Sequence, residues 1–141
     1  MRRNINIQDF LPHREPMLMA DEILEIDHEK AVTRFRISPD NVFVENGRFS
    51  AFGLIENCAQ TCSTICGQDL FEDKSEKPRV IGFISNIKKI KVHHLPQTGT
   101  EIIAKAQLIP EYENICNIHC ETFDDDTLLL EADIVMFIKK L

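Results

Sequence analysis

Apolar and polar residues alternate most regularly in two stretches. Over Lys30–Ile37, Ala31, Thr33, Phe35 and Ile37 share one face while Arg34 and Arg36 take the other, the period-two pattern of a half-buried strand. Near the C-terminus, Leu128, Leu130, Ala132, Ile134, Met136 and Ile138 alternate in the same way with Glu131, Asp133 and Lys139. Ile115–Phe123 places Cys116, Ile118, Cys120 and Thr122 on one face, and Asp124-Asp125-Asp126 reads as the hairpin turn that follows. Glu101–Ile109 is a further strand. Val80–Ser85 and Ile87–Val92 read as one long strand with room for a bulge. Toward the N-terminus, Ile7–Phe10 reads as a short helix stopped by Pro12, Met17–Ile26 as a strand, and Ser38-Pro39-Asp40-Asn41 as a turn.

The period changes once. From Ala51 to Leu70 there is no proline, Ser50 is placed to cap the start, and Ala51, Phe52, Leu54, Ile55, Cys58, Ala59, Cys62, Ile65 and Cys66 cover most of the helical circumference. A helix apolar on most faces is a buried helix. In a chain of 141 residues the strands must wrap around it. The order of strand, strand, long helix and then at least three strands joined by short turns predicts an α+β fold. It is the hotdog arrangement, a curled antiparallel β-sheet wrapped around one long central helix, in a single domain spanning residues 1–141.

Charge and composition narrow the functions open to such a domain. The net charge of −7 argues against a general nucleic-acid surface, because phosphate affinity comes from Lys and Arg. No apolar run approaches the ~20 residues of a membrane span. Met1-Arg2-Arg3 has no apolar segment behind it, so no secretory signal is expected and the expected compartment is the cytoplasm. The five cysteines, Cys58, Cys62, Cys66, Cys116 and Cys120, are odd in number with no secretory signal expected, which argues against a disulfide framework, and they include no C-x-x-C, which leaves a zinc ribbon and a thioredoxin motif without support. Cys58, Cys62 and Cys66 lie four apart and read as small core residues that let the helix pack closely on a sheet. The stretch Glu72–Pro78 is the one locally polar connection.

Two segments carry a family resemblance. Leu11-Pro12-His13-Arg14-Glu15-Pro16-Met17-Leu18-Met19-Ala20-Asp21 resembles the L-P-H-R-x-P-φ-L-x-x-D segment of the 3-hydroxyacyl-acyl-carrier-protein dehydratases. Phe49-Ser50-Ala51-Phe52-Gly53-Leu54-Ile55-Glu56-Asn57-Cys58-Ala59-Gln60 resembles their helix start, F-P-G-V-L-x-x-E-x-x-A-Q. Phe83–Gly99 is similar to their long strand and P-x-x-G turn, so the likeness covers nearly the whole chain. Pro39-Asp40-Asn41-Val42-Phe43 matches the P-D-x-x-F that precedes a shortened loop in the divergent ApeP-like subgroup, the one associated with aryl-polyene pigment clusters.

The activity this implies is removal of water from a 3-hydroxyacyl thioester, with no cofactor and no metal. A base takes a proton from C2, an acid protonates the departing C3 oxygen, and hydrogen-bond donors stabilise the thioester oxygen as enolate character grows. The start of a buried helix supplies free N–H groups and the positive dipole end. Ala51, Phe52 and Gly53 are the candidate donors. Glu56, about one turn further in, is the candidate acid, and Gln60, a turn beyond on the same face, is placed to orient it. Phe83 joins Gln60 and the helix start as a candidate substrate contact on the strength of the resemblance. The structural alternative is that Glu56 merely complements the helix dipole.

The departure from the family falls at the base. Its members carry a His in a G-H-F-P-G stretch before the helix, whereas Phe43-Val44-Glu45-Asn46-Gly47-Arg48-Phe49-Ser50 has none. His13 lies in a matched segment and is the candidate catalytic substitute, with orientation of its turn as the alternative role. His28 is in a polar turn, His93 and His94 end a strand, and His119 takes the face opposite Cys116, Ile118 and Cys120, toward solvent. Sites in this family lie between two protomers, the base from one and the acid from the other. The resemblance therefore implies a homodimer or a heteromer with a His-bearing hotdog subunit, acting on acyl-carrier-protein or acyl-CoA thioesters. A thioesterase of the same fold and a non-catalytic carrier-binding protein are the rival readings. Lys88, Lys89 and Lys91, with Arg36 and Arg48, form a candidate patch for an acidic carrier protein, or simply a solvated strand face.

Overall fold

The computed structural model describes residues 1–71, 80–109 and 115–140, with side chains in 1–66, 84–109 and 115–137. Nine strands and one long helix follow in the order β1 (Arg2–Asn6), a 3-10 turn (Ile7–Asp9), β2 (Glu22–Ile26), β3 (Lys30–Arg36), β4 (Val44–Glu45), β5 (Arg48–Phe49), α1 (Ala51–Phe71), β6 (Val80–Val92), β7 (Glu101–Ile109), β8 (Ile115–Asp124) and β9 (Thr127–Lys140). Seven strands form one antiparallel sheet in the order β1-β2-β3-β7-β8-β9-β6, and β4 and β5 pair separately. α1 packs against β3, β6, β7, β8 and β9. This is the hotdog architecture that the hydrophobic pattern predicts.

The alternation sets the register. Ala31, Thr33, Phe35 and Ile37 of the β3 segment are buried, as are Ile102, Ala104 and Ala106 of β7, Ile118, Cys120 and Thr122 of β8, and Leu130, Ala132, Ile134 and Met136 of β9. The small side chains Ala104, Ala106, Cys120 and Ala132 sit where the helix approaches. Across from them are Leu54, Cys58, Cys62 and Ile65 of α1, also buried. Fully burying a side chain such as Leu54 contributes roughly 1.5–3 kcal/mol, so the helix is held by packing rather than by propensity.

Four features differ from the sequence reading. β1 precedes Ile7 and pairs with β2, an edge addition that its polar composition, Arg2-Arg3-Asn4-Ile5-Asn6, does not announce. β2 begins at Glu22, not Met17, because Met17–Ala20 gives its backbone groups to side chains of α1 instead of to a strand. β4 and β5 form a hairpin around Asn46 and Gly47, both at positive φ (52° and 76°). Asn-Gly is the favoured pair for such a turn. Finally, α1 is less apolar than its pattern suggests, since Asn57, Gln60, Thr61 and Thr64 are all buried.

Other expectations match closely. β6 is one strand with register shifts between Ile84 and Asn86 and between Lys88 and Lys91. β7 has the expected limits, and β8 turns into β9 with Asp124 opposite Thr127. Ser50 caps α1. The polar connection Glu72–Pro78 lies outside the described residues.

Candidate functional site

α1 begins where the β4–β5 hairpin delivers the chain to the sheet. Ser50 N–H donates to Phe43 carbonyl at 2.9 Å, and Phe49 N–H to Pro96 carbonyl at 2.8 Å. Ser50 Oγ then accepts Gly53 N–H at 3.4 Å, and Leu54 N–H closes the first helical bond onto Ser50 carbonyl at 3.1 Å. Of the three candidate donors, Gly53 N–H is thus engaged by the cap, while Ala51 and Phe52 N–H precede the first intrahelical bond. Gly53 has a second task. A Cβ built there would lie 2.5 Å from the Phe49 ring and 2.9 Å from Phe43 Cβ, so only glycine lets the hairpin seat against the helix. The Phe52 side chain is 72% exposed and leaves the chain's own core altogether.

Glu56 is half-buried. Its Oε1 accepts Gln60 Nε2–H at 2.9 Å, and its Oε2 has no hydrogen bond among the described residues. Gln60 uses its whole amide. Oε1 accepts Met19 N–H at 2.7 Å, and Nε2 also donates to Met17 carbonyl at 2.7 Å. Asn57 adds Nδ2–H to Met19 carbonyl at 2.7 Å and accepts Thr122 Oγ1–H at 3.2 Å. The Leu11–Asp21 segment is therefore clamped to α1, and the clamp leaves one oxygen of Glu56 available. A contact with substrate by the Gln60 amide would require one of these bonds to open.

Sequence reasoning missed Asn57. The signal was a lone amide on an otherwise apolar stretch, which demands buried partners. Asn57 is fully buried and leads into a further network. Thr61 Oγ1 donates to Asn57 carbonyl at 2.8 Å and shares a 2.7 Å hydrogen bond with Thr33 of β3.

His13 lies in the clamped segment but makes no hydrogen bond with Glu56 among the described residues. Its Nδ1 is buried without a partner. The turn is held instead by Arg14, whose Nη1 donates to Leu11 carbonyl at 2.9 Å and to His13 carbonyl at 2.8 Å. A buried, unpaired ring nitrogen is costly, and none of the described residues satisfies this one. The Phe83 side chain lies outside those described.

His119 occupies the outer face, as expected, but is not free there. Its Nδ1 is 2.7 Å from Asp133 Oδ1 and its Nε2 is 3.0 Å from Glu121 Oε1. Desolvation pulls its pKa down, but the two carboxylates outweigh this and raise it above the ordinary value. Both ring nitrogens are engaged, so this histidine is structural. Two of the three lysines of β6 are likewise answered by β9. Lys89 Nζ is 3.8 Å from Asp133, Lys91 Nζ is 3.8 Å from Glu131, and His93 is 3.5 Å from Glu131. Arg48 donates to Leu95 carbonyl and Arg36 to Gly99 carbonyl. The face is one of exposed, loosely paired ions, each worth little, rather than an open basic field. No group of three or more His, Cys, Asp or Glu residues suited to a metal ion occurs among the described residues. None of the described helices is long and apolar enough to cross a membrane.

Comparison with known proteins places this geometry. The 3-hydroxyacyl-[acyl-carrier-protein] dehydratase FabZ of Rhizobium etli (strain CIAT 652) is 29% identical over 96% of this chain and 89% of its own length. The corresponding protein of Desulfotalea psychrophila is 24% identical over 93% and 89%. Among solved structures, the dehydratase heterocomplex ApeI:P from Xenorhabdus doucetiae superposes with a TM-score of 0.84 at 17% identity, covering 98% of this chain and 93% of that one. A hypothetical thioesterase with coenzyme A from Streptococcus pneumoniae TIGR4 shares the fold at a TM-score of 0.67, 12% identity and coverage of 84% and 85%. The family described as ApeP dehydratase, ApeP-like, matches residues 5–140, nearly the full length, and this chain belongs to it.

Proposed function

We propose that this chain is the acid-bearing subunit of a two-protomer dehydratase that converts 3-hydroxyacyl thioesters, carried on an acyl carrier protein, to 2-enoyl thioesters. The observation that carries the reading is the half-buried Glu56 carboxyl, held through Oε1 by Gln60 with Oε2 unengaged among the described residues. In the reaction, Glu56 protonates the C3 oxygen, which leaves as water. The Ala51 and Phe52 N–H groups, at the positive end of α1, receive the developing charge on the thioester oxygen. The C2 proton is taken by a base from the facing subunit, because no histidine stands in Phe43–Ser50. Family membership and the heterocomplex of the structural neighbour from Xenorhabdus doucetiae support this division of labour.

The test is reconstitution. The purified chain is incubated with a 3-hydroxyacyl carrier protein, alone and with hotdog proteins encoded beside it that carry a histidine before the helix. Loss of one water by mass spectrometry is expected only with a partner. Full turnover by the chain alone overturns the two-subunit reading, and His13→Ala then tests whether His13 is the base. Release of free carrier thiol instead of dehydration makes the protein a thioesterase.

A further inference from the structure

Asn57 and Gln60, about one turn apart on α1, grip both backbone groups of a single residue. Asn57 Nδ2–H donates to Met19 carbonyl at 2.7 Å, and Met19 N–H donates to Gln60 Oε1 at 2.7 Å. Met19 and Asn57 are fully enclosed and Gln60 nearly so. Behind Asn57 stands Thr122 of β8, also fully buried, whose Oγ1–H donates to Asn57 Oδ1 at 3.2 Å. An amide oxygen has no hydrogen to give, so the single hydroxyl hydrogen of Thr122 lies toward it. Cys58 Sγ, 3.1 Å from the same hydroxyl, is left as the donor there. Every link therefore has one polarity. Cys58 gives to Thr122, Thr122 to Asn57 and Asn57 to Met19, and on the other side of that residue Met19 gives to Gln60 and Gln60 to Glu56.

The polarity decides what happens at the carboxyl. A primary amide can flip, exchanging its oxygen for its nitrogen. Flipping Gln60 would leave Met19 N–H without an acceptor and would turn an oxygen toward Met17 carbonyl, which now accepts Nε2–H at 2.7 Å. With the amide fixed, Nε2 presents a hydrogen to Glu56 Oε1 at 2.9 Å, and Oε1 keeps the acceptor role of a carbonyl oxygen. When the carboxyl carries its proton, that proton then belongs to Oε2, the oxygen without a hydrogen bond among the described residues.

From this chain of bonds we infer that Asn57, backed by Thr122, is a positioning residue for the dehydration: it holds Met19 so that Gln60 cannot flip, and thereby keeps the Glu56 proton on the oxygen free to reach substrate. The inference rests on Glu56 being the acid. Asn57 itself, fully buried, touches no reacting atom. Delivery of the proton needs no rotation of the carboxyl. The C3–O bond breaks as the Oε2 proton passes to the leaving oxygen, water departs, and the charge left on the carboxylate is met at Oε1 by Gln60 Nε2–H. With Gln60 flipped, the proton would sit on Oε1 in a hydrogen bond to the amide oxygen, and that bond would have to break before each transfer.

The first measurement needs only the purified chain, labelled with nitrogen-15. Both Gln60 Nε2 hydrogens are expected to exchange with solvent at least about tenfold more slowly than those of the exposed Gln8. In Asn57→Leu, similar in size but without either bond, that protection is expected to be lost. In the reconstituted enzyme acting on a 3-hydroxyacyl carrier protein, Asn57→Leu is expected to lower kcat about 10- to 10²-fold with KM changed by less than about twofold, because a misplaced proton costs rate rather than binding. Thr122→Val, which keeps the shape and loses the hydroxyl, is expected to lower kcat in the same direction, and Thr122→Ser, which keeps the hydroxyl, to retain it. Added to Glu56→Gln, Asn57→Leu is expected to cost nothing further, since the proton it positions is already gone. Gln60 hydrogens exchanging as fast as those of Gln8 overturn the positioning role. So does wild-type kcat in a folded Asn57→Leu when Glu56→Gln is crippled, an outcome that leaves Glu56 as the acid. Full turnover by Glu56→Gln overturns the acid reading and this inference with it. If Asn57→Leu does not fold, the wild-type exchange rates and the Thr122 pair decide, and equal kcat in Thr122→Val and Thr122→Ser overturns the role.

Discussion

Gln60 Nε2 donates to Glu56 Oε1 at 2.9 Å and in the same position to Met17 carbonyl at 2.7 Å. One side chain therefore both anchors the N-terminal segment and aims the carboxyl, and the two tasks separate on substitution. Glu56→Gln retains an oxygen that accepts the Gln60 hydrogen bond but has no carboxylic proton to give. It is expected to leave the urea midpoint nearly unchanged while turnover of the reconstituted enzyme falls about 10²–10⁴-fold. Gln60→Ala leaves the buried Met19 N–H without a partner, at about 1–3 kcal/mol, and frees the Met17 carbonyl of an exposed residue, so its urea midpoint falls as well as its rate. Unchanged turnover in Glu56→Gln would reduce that residue to complementing the helix dipole.

The fold was legible because its strands alternate cleanly and its helix is apolar on several faces. β7, with Ile102, Ala104 and Ala106 inward, needed nothing more than the period of two. The pairing of Glu56 with Gln60 was legible for a related reason, as polar residues a turn apart on a buried helix. The clamp was not legible. Met17–Ala20 has the composition of a strand, and only the three-dimensional placement of Asn57 and Gln60 shows that side chains, not a neighbouring strand, satisfy it. The closeness of Gly53 to Phe49 escapes the sequence as well, since nothing local marks which glycine faces a ring.

That closeness has a measurable consequence. In an open helix, Gly→Ala gains up to about 1 kcal/mol from propensity. At Gly53 the added methyl meets the Phe49 ring at 2.5 Å, and Phe49 is fully buried. Overpacking of this kind costs about 1–3 kcal/mol, so Gly53→Ala is expected to destabilise despite its better propensity. The double variant Gly53→Ala/Phe49→Leu should lose less than the sum of the two single changes in urea titrations. Strict additivity would mean that the ring and the glycine do not oppose each other.

His119 makes stability depend on pH in a definite direction. Asp133 and Glu121 outweigh desolvation and raise its pKa in the folded state, while Lys89 on the other oxygen of Asp133 tempers the carboxylate. A raised folded value means that the contribution is fully present below the ordinary His pKa of about 6.5 and fades as pH rises through the folded value. His119→Gln removes this contribution. The difference in melting temperature between wild type and variant is expected to shrink from pH 6 to pH 8.5. A difference that is constant or grows with pH would show that the imidazolium form is not the one the carboxylates hold.

The last prediction concerns the β6 edge of the sheet, the one opposite β1. Among the described residues, β6 is paired with β9 alone, through Val80–Val92, and no strand pairs with its other side. Ile84, Ile90 and Val92 are 40%, 42% and 45% exposed along it. A long edge with unpaired backbone groups and exposed apolar side chains invites another strand. No proline interrupts it, and of its three exposed lysines Lys89 and Lys91 lie 3.8 Å from carboxylates of β9, while Lys88 makes no ion pair among the described residues. The chain is therefore expected to sediment as a dimer or larger assembly at micromolar concentration. Ile84→Lys places a charge on this edge without entering the core, and it is expected to shift the protein toward monomer with the far-ultraviolet spectrum retained. If a His-bearing subunit completes the site by pairing along the same edge, Ile84→Lys should also abolish the reconstituted dehydration although Glu56 and Gln60 are untouched. A monomeric wild type would show that β6 is not the pairing edge. Loss of assembly with turnover intact would place the catalytic site within a single protomer.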